Sequence, residues 1–127
     1  MNTTLINALL KIKNASCRGK EHVFLDYNVQ YLEILKILYK EGFIQSIKLD
    51  HANLRYIVQL RFFEQKRIIN NIKFFSVPSF EHFNSFAELS LLNDKKLFIL
   101  LSTNNGLLSL SQCKKQRLGG KLLFCIF

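Results

Sequence analysis

The stretch STNNGLLSLSQCKKQRLGG, Ser102–Gly120, lies between two apolar segments, LFILL (Leu97–Leu101) and KLLFCIF (Lys121–Phe127). Asn104–Gly106 is typical of a tight turn, so the first apolar strand should be followed directly by a second one. Ser111–Arg117 can form one or two helical turns, which the following glycine pair would end before the last strand. The stretch therefore predicts a C-terminal half that is mostly sheet, with short helices.

The N-terminal half has a different pattern, with two helices and three strands. Leu5–Ser16 carries apolar residues at helical spacing, and Val29–Glu41 is apolar except for a narrow polar stripe before Gly42. The polar run Glu64–Arg67 marks the expected junction between domains. The predicted fold class is α+β with two small domains, an α-β-α-β-β sandwich over residues 1–64 and a mostly-β domain with short helices over residues 65–127. Strands of the first domain are predicted at His22–Asn28, Phe43–Asp50 and Leu54–Phe62, the last two as a hairpin.

The chain of 127 residues has 18 Lys and Arg side chains against 9 Asp and Glu, a formal net charge of +9. Nine basic and six acidic side chains precede residue 65, and nine and three follow it, so the C-terminal half is the more positive. This balance fits a densely negative partner, either a nucleic acid or an anionic membrane. No apolar run approaches the roughly 20 residues that span a bilayer. Three cysteines without a CxxC motif favour free thiols in a reducing compartment.

Side chains that could carry catalysis are scattered along the sequence. His22, His51 and His82 share no motif, and the sequence contains no phosphate loop, nucleophile elbow or HExxH. Cys113 beside Lys114 is a candidate nucleophile, because a nearby cation lowers the pKa of a thiol. Packing of a small side chain on a short helix is the simpler interpretation. We therefore expect no enzyme, and no cofactor, metal site, small-molecule substrate or membrane partner.

The central stretch instead combines short polar side chains with glycines and cations. Structured RNA presents 2′-hydroxyls and base edges in a shallow groove that hydroxyl and amide groups on a loop can reach, while Lys and Arg contact phosphates. The glycine pair has an alternative role as the end of a helix, and Leu110, Gln112 and Gln116 have no predicted role. The predicted RNA-binding residues of this stretch are Ser102, Thr103, Asn104, Asn105, Gly106, Ser109, Lys114, Lys115, Arg117, Gly119 and Gly120.

This stretch resembles the C-terminal signature of the small-subunit ribosomal protein eight family of bacterial and organellar type. The shared pattern is two apolar residues, Ser-Thr, two variable residues, Gly, two aliphatic residues, a short basic helix, an aliphatic residue followed by Gly-Gly, and a last apolar strand. LINALLKIKNA (Leu5–Ala15) and ILYKEGFI (Ile37–Ile44) resemble the family's first helix and the end of its second. The resemblance thus extends over essentially the whole chain.

The resemblance implies two small α/β domains and a non-catalytic role in the small ribosomal subunit. The protein would bind a helical junction in the central domain of small-subunit rRNA during assembly, with small-subunit protein five as a neighbour. Phe83 would stand where the family has an aromatic that stacks on a base, although ordinary core packing is the alternative. The first helix would add the RNA-binding residues Asn7, Lys11, Lys13 and Asn14.

Several positions depart from the family pattern. Ser76–Ser79 reads Ser-Val-Pro-Ser where the family has Ser-Arg-Pro-Gly, Leu97 replaces a Gly, and Cys113 replaces a small residue that is usually Ala. This divergence, with the abundance of Leu, Lys, Phe, Ile and Asn, predicts an organelle-encoded protein of the mitochondrial ribosome. A plastid and the bacterial cytoplasm are the alternative locations. The alternative function is a basic adaptor that binds another RNA, a protein or an anionic membrane.

Overall fold

The computed structural model describes residues 3–64, 66–76, 79, 81–92 and 97–127. The chain divides into two compact units, residues 4–70 and residues 71–127 together with residues 1–3, which are called here the N-terminal unit and the C-terminal unit. Helices and antiparallel sheets occur in the described residues of both units, so the predicted α+β class is confirmed. A domain boundary after residue 64 stays a prediction, while the division between the compact units comes after Asn70.

The N-terminal unit begins with the predicted order of helix, strand, helix, strand and strand, which is confirmed. Its three long strands form an antiparallel sheet in the order β1-β3-β2. A short ladder follows that was not predicted, in which Phe62 pairs with Arg67. Lys66 and Arg67, in the run that suggested a junction, are therefore paired with Phe63 and Phe62. The elements are α1 (Thr3–Cys17), β1 (His22–Asp26), α2 (Val29–Glu41), β2 (Ile44–Asp50), β3 (Arg55–Leu60), β4 (Phe62–Phe63) and β5 (Lys66–Arg67).

The core of the N-terminal unit lies on one face of this sheet. Burial alternates along β1 and β3, and the register places Val23 opposite Val58 and Leu25 opposite Tyr56 on the buried face. Both helices direct apolar side chains to this face. The N-cap of α2 is Asn28, whose side chain accepts a hydrogen bond from the Gln30 N–H at 2.9 Å. The buried helical side chains are Ala8, Leu9, Ile12, Ala15 and Ser16 of α1 and Tyr31, Ile34, Leu35 and Leu38 of α2.

The C-terminal unit is built on a five-stranded sheet, and its mostly-β character is as predicted. Four strands follow the order β6-β10-β8-β9, and β7 also pairs with β10. The first of these strands along the chain is short, with only three residues paired to the last strand. The elements are β6 (Ile72–Phe74), β7 (His82–Asn84), α3 (Phe86–Ser90), β8 (Phe98–Thr103), β9 (Gly106–Ser109), α4 (Leu110–Gln116) and β10 (Gly120–Ile126).

The strand β10 is the centre of the C-terminal unit. Residues 122–126 are all buried: Leu122 and Cys125 pack under the two short helices, and the ring of Phe124 contacts that of Phe74 in β6. The register with β8 shifts between Leu122 and Phe124. The apolar cluster under the helices comprises Leu89, Ile99, Leu101, Leu110, Cys113, Leu122 and Cys125. The helix predicted from Ser111 thus begins at Leu110, a residue without a predicted role, which is fully buried here.

Candidate nucleic-acid interface

The predicted Ser-Thr-Asn-Asn-Gly loop is a two-residue turn between β8 and β9. Thr103 and Gly106 form the last pair of the ladder, and Gly106 has φ +98, a backbone conformation that favours glycine. The Thr103 hydroxyl donates to the Gly106 carbonyl at 2.9 Å and accepts from the Asn105 N–H at 3.2 Å. Asn104 and Asn105 are exposed. The hydroxyl predicted to bind RNA therefore fixes the turn, and the Asn104 side chain is presented to solvent.

The helix α4 orders the cations of the stretch. Ser109 is its N-cap and forms a capping box with Gln112, which gives this glutamine a structural role. Gln116, at the other end, accepts a hydrogen bond from the Asn105 amide at 3.4 Å and so connects the helix to the turn. Ser109 is buried, and its hydroxyl is engaged in the cap. The structure thus places Ser109 in the scaffold of the predicted surface.

The three predicted cations of α4 differ in their surroundings. Lys115 and Arg117 are exposed, and Arg117 ends the helix with φ +55. Lys114 is half-buried, and its ammonium group donates to the carbonyl of Leu92. Two of the three cations therefore face solvent, whereas the third also ties α4 to the end of α3.

The glycine pair lies against the backbone of neighbouring strands. A Cβ on Gly120 would lie 2.6 Å from the carbonyl oxygen of Ser102, and one on Gly119 would lie 2.7 Å from that of Asn84. Both contacts are with the protein itself. The physical requirement for these glycines is therefore close packing of β7 and β8 around the start of β10, while their proximity to RNA stays a prediction.

Phe83 lies beside the predicted loop in the sheet. The register places Phe83 of β7 opposite Lys121 of β10, and Lys121 opposite Ser102 of β8. Cross-strand partners project from the same face of a sheet. Phe83 is 67% exposed, which argues against ordinary core packing. Lys121, whose ammonium group pairs with Glu81 at 3.2 Å, completes this row and was missed by the sequence analysis, because the pairing of distant strands leaves no local signal.

The N-terminal unit holds the other predicted residues on α1. Asn7, Lys11 and Asn14 are exposed and spaced four and three residues apart, so they form one stripe along the helix. Lys13 is half-buried away from this stripe. A groove beside the helix brings Lys11 and Asn14 together with residues that were not predicted. Its lining comprises Lys11, Asn14, Ala15, Arg18, Lys20, His22, Val23 and Phe24.

These additional cations follow the end of α1 directly. The sequence run from Arg18 to His22 contains Arg18 and Lys20 directly after the helix, and this pair of cations was the available signal. The aromatic ring of Phe24 is half exposed at the groove, and the guanidinium of Arg55 lies 4.1 Å from its centroid. Each unit therefore carries its own basic surface with an exposed aromatic ring.

The model of the family described as ribosomal protein S8 matches residues 3–127 of the chain. The chain belongs to the ribosomal protein S8 family. It is 33% identical over 134 residues to small ribosomal subunit protein uS8c of Bigelowiella natans, and the match covers 100% of both chains. It is 27% identical over 128 residues to small ribosomal subunit protein uS8 of Phytoplasma mali, covering 100% of this chain and 98% of that one. With the uS8 protein of Maricaulis maris it shares 28% identity over 126 residues, or 97% of this chain and 96% of the other.

Membership of the S8 family makes the chain a ribosomal protein of the structural, non-enzymatic kind, so the prediction that it is not an enzyme is confirmed. The thiol of Cys113 fits this conclusion. It is completely buried in the apolar cluster, and burial raises its pKa above the ordinary 9.0, the opposite of an activated thiolate. Within the described ranges, no three His, Cys, Asp or Glu side chains are grouped as metal ligands would be. No described helix is long and apolar enough to cross a membrane.

Two of the departures from the S8 pattern, Leu97 and Cys113, lie at the apolar cluster of the C-terminal unit. Leu97 packs against the same apolar cluster that contains Cys113, so two larger side chains stand there together. Val77 and Pro78 of the altered turn lie outside the described residues, and Ser79 is exposed. Ser76, which matches the family pattern, is fully buried, and its hydroxyl donates to the carbonyl of Leu122.

Proposed function

We propose that the protein is a structural component of the small ribosomal subunit that binds the central domain of small-subunit rRNA and supports subunit assembly and translation. The observation that carries the proposal is the row of Phe83, Lys121 and Ser102 across three strands. The Asn104-Asn105 turn continues from this row, so an exposed ring, a cation and short polar groups share one side of the C-terminal unit. A stacking platform beside hydrogen-bonding groups suits an irregular or splayed region of RNA.

The exposed cations supply the second part of the mechanism. Lys115 and Arg117 of α4 contact phosphates, and the groove beside α1 does the same in the N-terminal unit. Neutralising phosphates releases counterions, so the affinity falls as salt rises. The two units carry similar charge, with eleven basic and six acidic side chains in residues 4–70 and seven and three in residues 71–127. Electrostatic affinity is therefore spread over both units, while recognition of shape rests on the C-terminal unit.

The direct test measures binding of the purified protein to a central-domain rRNA fragment and to an unrelated duplex at several salt concentrations. We expect tighter binding to the cognate fragment at every concentration. Lys115→Ala and Arg117→Ala should each lower the slope of log Kd against log salt by about one unit. Lys114→Ala should lower it less, because this ammonium group is engaged with a carbonyl. Equal affinity for the two RNAs, or preferential binding to anionic vesicles, would contradict the proposal and favour a basic adaptor.

The turn allows a test with a matched pair of variants. Thr103→Ser keeps the hydroxyl that holds Gly106 and Asn105, and Thr103→Val removes it at nearly constant volume. We expect the serine variant to bind the cognate fragment within about twofold of the original chain. The valine variant should bind at least fivefold more weakly, with an unchanged salt slope. Equal binding by both variants would show that recognition of the RNA does not require an ordered turn.

The proposal extends to a neighbouring protein and to a location in the cell. Small-subunit protein five is the proposed neighbour, and a mitochondrial ribosome is the proposed location, with plastid and bacterial ribosomes as alternatives. Relatives from a bacterium and from Bigelowiella natans have similar identity to the chain, so sequence similarity does not decide the location. Fractionation of the source cells, followed by detection of the chain in ribosomes of one compartment, tests it directly.

A further inference from the structure

The N-terminal sheet has a second face, opposite its core, on which polar side chains surround one aromatic ring. Burial alternates along β1 and β3, and cross-strand partners project from the same face, so His22, Phe24 and Asp26 lie on this second face. All of its side chains are exposed or half-buried. They form three rows across β1, β3 and β2, called here the open face: His22, Gln59 and Ser46; Phe24, Ile57 and Lys48; and Asp26, Arg55 and Asp50.

The aromatic ring of the open face is held in place by its neighbours. Phe24 is 49% exposed, and the guanidinium of Arg55 lies 4.1 Å from the centroid of its ring. The Asp50 carboxylate accepts from the Nε of Arg55 at 3.3 Å and from the side chain of Asn53 at 3.0 Å. The guanidinium therefore covers one face of the ring and leaves the other face to a ligand. An exposed ring with a fixed orientation is suited to stacking on a nucleic-acid base.

Cations lie on both sides of this ring. His22 and Phe24 of the open face also line the basic groove beside α1, so the groove, which includes Lys20, continues onto the sheet. The exposed Lys48 lies on the other side, across Ile57. A strand of RNA that crosses the sheet from β1 to β2 therefore meets cations before and after the ring. Paired RNA cannot use the ring in this way, because its bases are already stacked in the helix.

We propose that the open face binds one unpaired nucleotide of the rRNA, with its base stacked on Phe24 and the neighbouring phosphates at the groove and at Lys48. The inference rests on the proposed function and adds a site for single-stranded RNA in the N-terminal unit. The row beside the ring supplies hydrogen-bonding groups. The Ser46 hydroxyl donates to the side-chain oxygen of Gln59 at 3.2 Å and so orients the amide, whose N–H groups can donate to the edge of the base.

Replacing the ring tests the inference in the full-length chain bound to the central-domain rRNA fragment. Phe24→Tyr keeps a ring and should bind within about twofold of the original chain. Phe24→Leu keeps an apolar side chain without a ring, and should bind at least fivefold more weakly with an unchanged salt slope. Tyr39→Leu, at a 56% exposed position of α2, is the matched control and should leave the affinity unchanged.

A cross-link identifies the nucleotide, and a change in the RNA then tests the contact without altering the protein. Phe24→p-benzoylphenylalanine should form an adduct with an unpaired nucleotide, located by the stop of reverse transcription. An abasic nucleotide at that position should weaken binding of the original chain at least fivefold, but binding of Phe24→Leu by less than twofold, because both changes remove one contact. Adducts only with paired nucleotides, no adduct, or additive losses would overturn the inference.

The carboxylate on the open face gives a test whose sign differs from that of simple charge repulsion. Asp50→Asn removes a negative charge, which by itself strengthens RNA binding. Because the carboxylate holds Arg55 against the ring, we expect binding about threefold weaker instead, with no further loss in the Phe24→Leu chain. Lys48→Ala should lower the slope of log Kd against log salt by about one unit, and Lys36→Ala, on α2, should leave it unchanged. Tighter binding by Asp50→Asn, or equal slopes for the two lysine variants, would refute the proposed site.

The outcomes separate this inference from the proposed function. A chain that binds the rRNA fragment no more tightly than an unrelated duplex overturns both. A chain that prefers the fragment, but binds it equally well with Phe24→Leu, overturns the inference alone.

Discussion

Replacing Gly120 by alanine tests whether the glycine pair serves the fold of the C-terminal unit. The added Cβ would lie 2.6 Å from the Ser102 carbonyl oxygen and 2.9 Å from the Thr103 γ-methyl, and real Cβ atoms essentially never approach closer than 3.0 Å. The carbonyl belongs to β8, which is itself paired with β9 on its other side. The backbone of β8 must therefore move, and it displaces the turn that follows Thr103.

The magnitude follows from two opposing contributions. Forcing a methyl group into a filled site costs about 1–3 kcal/mol, and contact with backbone favours the upper end of that range. Alanine restricts the unfolded chain more than glycine does, and this raises the free energy of unfolding by about 0.4–1 kcal/mol. We expect a net loss of about 2 kcal/mol in the free energy of unfolding. For a domain of this size such a loss lowers Tm by roughly 8–16 °C.

Thermal and urea unfolding of Gly120→Ala measure this loss, and affinity for the rRNA fragment is measured well below the new Tm. Thr103→Ser in the same chain removes the γ-methyl contact and keeps the hydroxyl, so it should restore less than half of the lost stability. Complete restoration would locate the clash at the methyl group instead of the carbonyl. An unchanged Tm with weakened RNA binding would refute the reasoning, because the glycine would then be required by RNA and not by β8.

Three further predictions concern single side chains. Phe83→Ala should change the free energy of unfolding by less than about 0.5 kcal/mol, because the ring is exposed. It should weaken binding of the rRNA fragment by about 1–3 kcal/mol, because the ring is then lost for stacking on a base. A loss of stability in urea unfolding would instead indicate a packing role. Ser109→Ala should cost about 1–2 kcal/mol in urea unfolding, since it removes the N-cap of α4, and an unaltered midpoint would contradict the capping box. Burial raises the pKa of Cys113 and Cys125 above about 9, the pKa of a thiol in the unfolded chain. The neutral thiols therefore stabilise the fold fully below pH 9, and this contribution is lost as the pH rises through the pKa values of the folded state. Melting curves should show Tm falling above pH 9, and a thiol reagent at pH 8 should modify the exposed Cys17 first; rapid reaction of the buried pair would contradict the assignment.

Most of the fold could be predicted because its signals are local. Helix α2 combines a periodic apolar face with an Asn28 cap and Gly42 at its end. Each of these signals lies within or next to the helix whose start, end or buried face it determines. The pairing of β1 with β3, and of β7 with β10, joins segments far apart in sequence. No short pattern encodes such pairings. The helices and the long strands could therefore be predicted, whereas the short β4-β5 ladder and the order of the strands in each sheet could not.

The candidate site was predicted by composition, which does not separate exposed groups from engaged ones. Ser109 and Asn104 look equivalent in the sequence, yet one is the buried cap of a helix and the other is exposed in a turn. Lys114 and Lys115 are adjacent, yet only the first donates to a carbonyl of the neighbouring helix end. Lys121 was not predicted to belong to the site, because nothing in the sequence distinguishes a lysine at the start of an apolar strand. Only the strand pairing places it between Phe83 and Ser102.

The proposed role of the Ser-Thr-Asn-Asn-Gly stretch therefore depends on the backbone shape of its turn as much as on its exposed side chains. The Thr103 hydroxyl and the Gly106 conformation shape the turn, while Gly120 lets β10 approach β8 closely enough to hold it. A surface held by backbone contacts keeps its shape before RNA arrives, so little conformational entropy is lost on binding. We therefore expect substitutions of residues that hold the turn in place to lower affinity more than substitutions of exposed side chains. Exposed Asn104 can vary with modest effects on affinity, whereas Gly120 cannot.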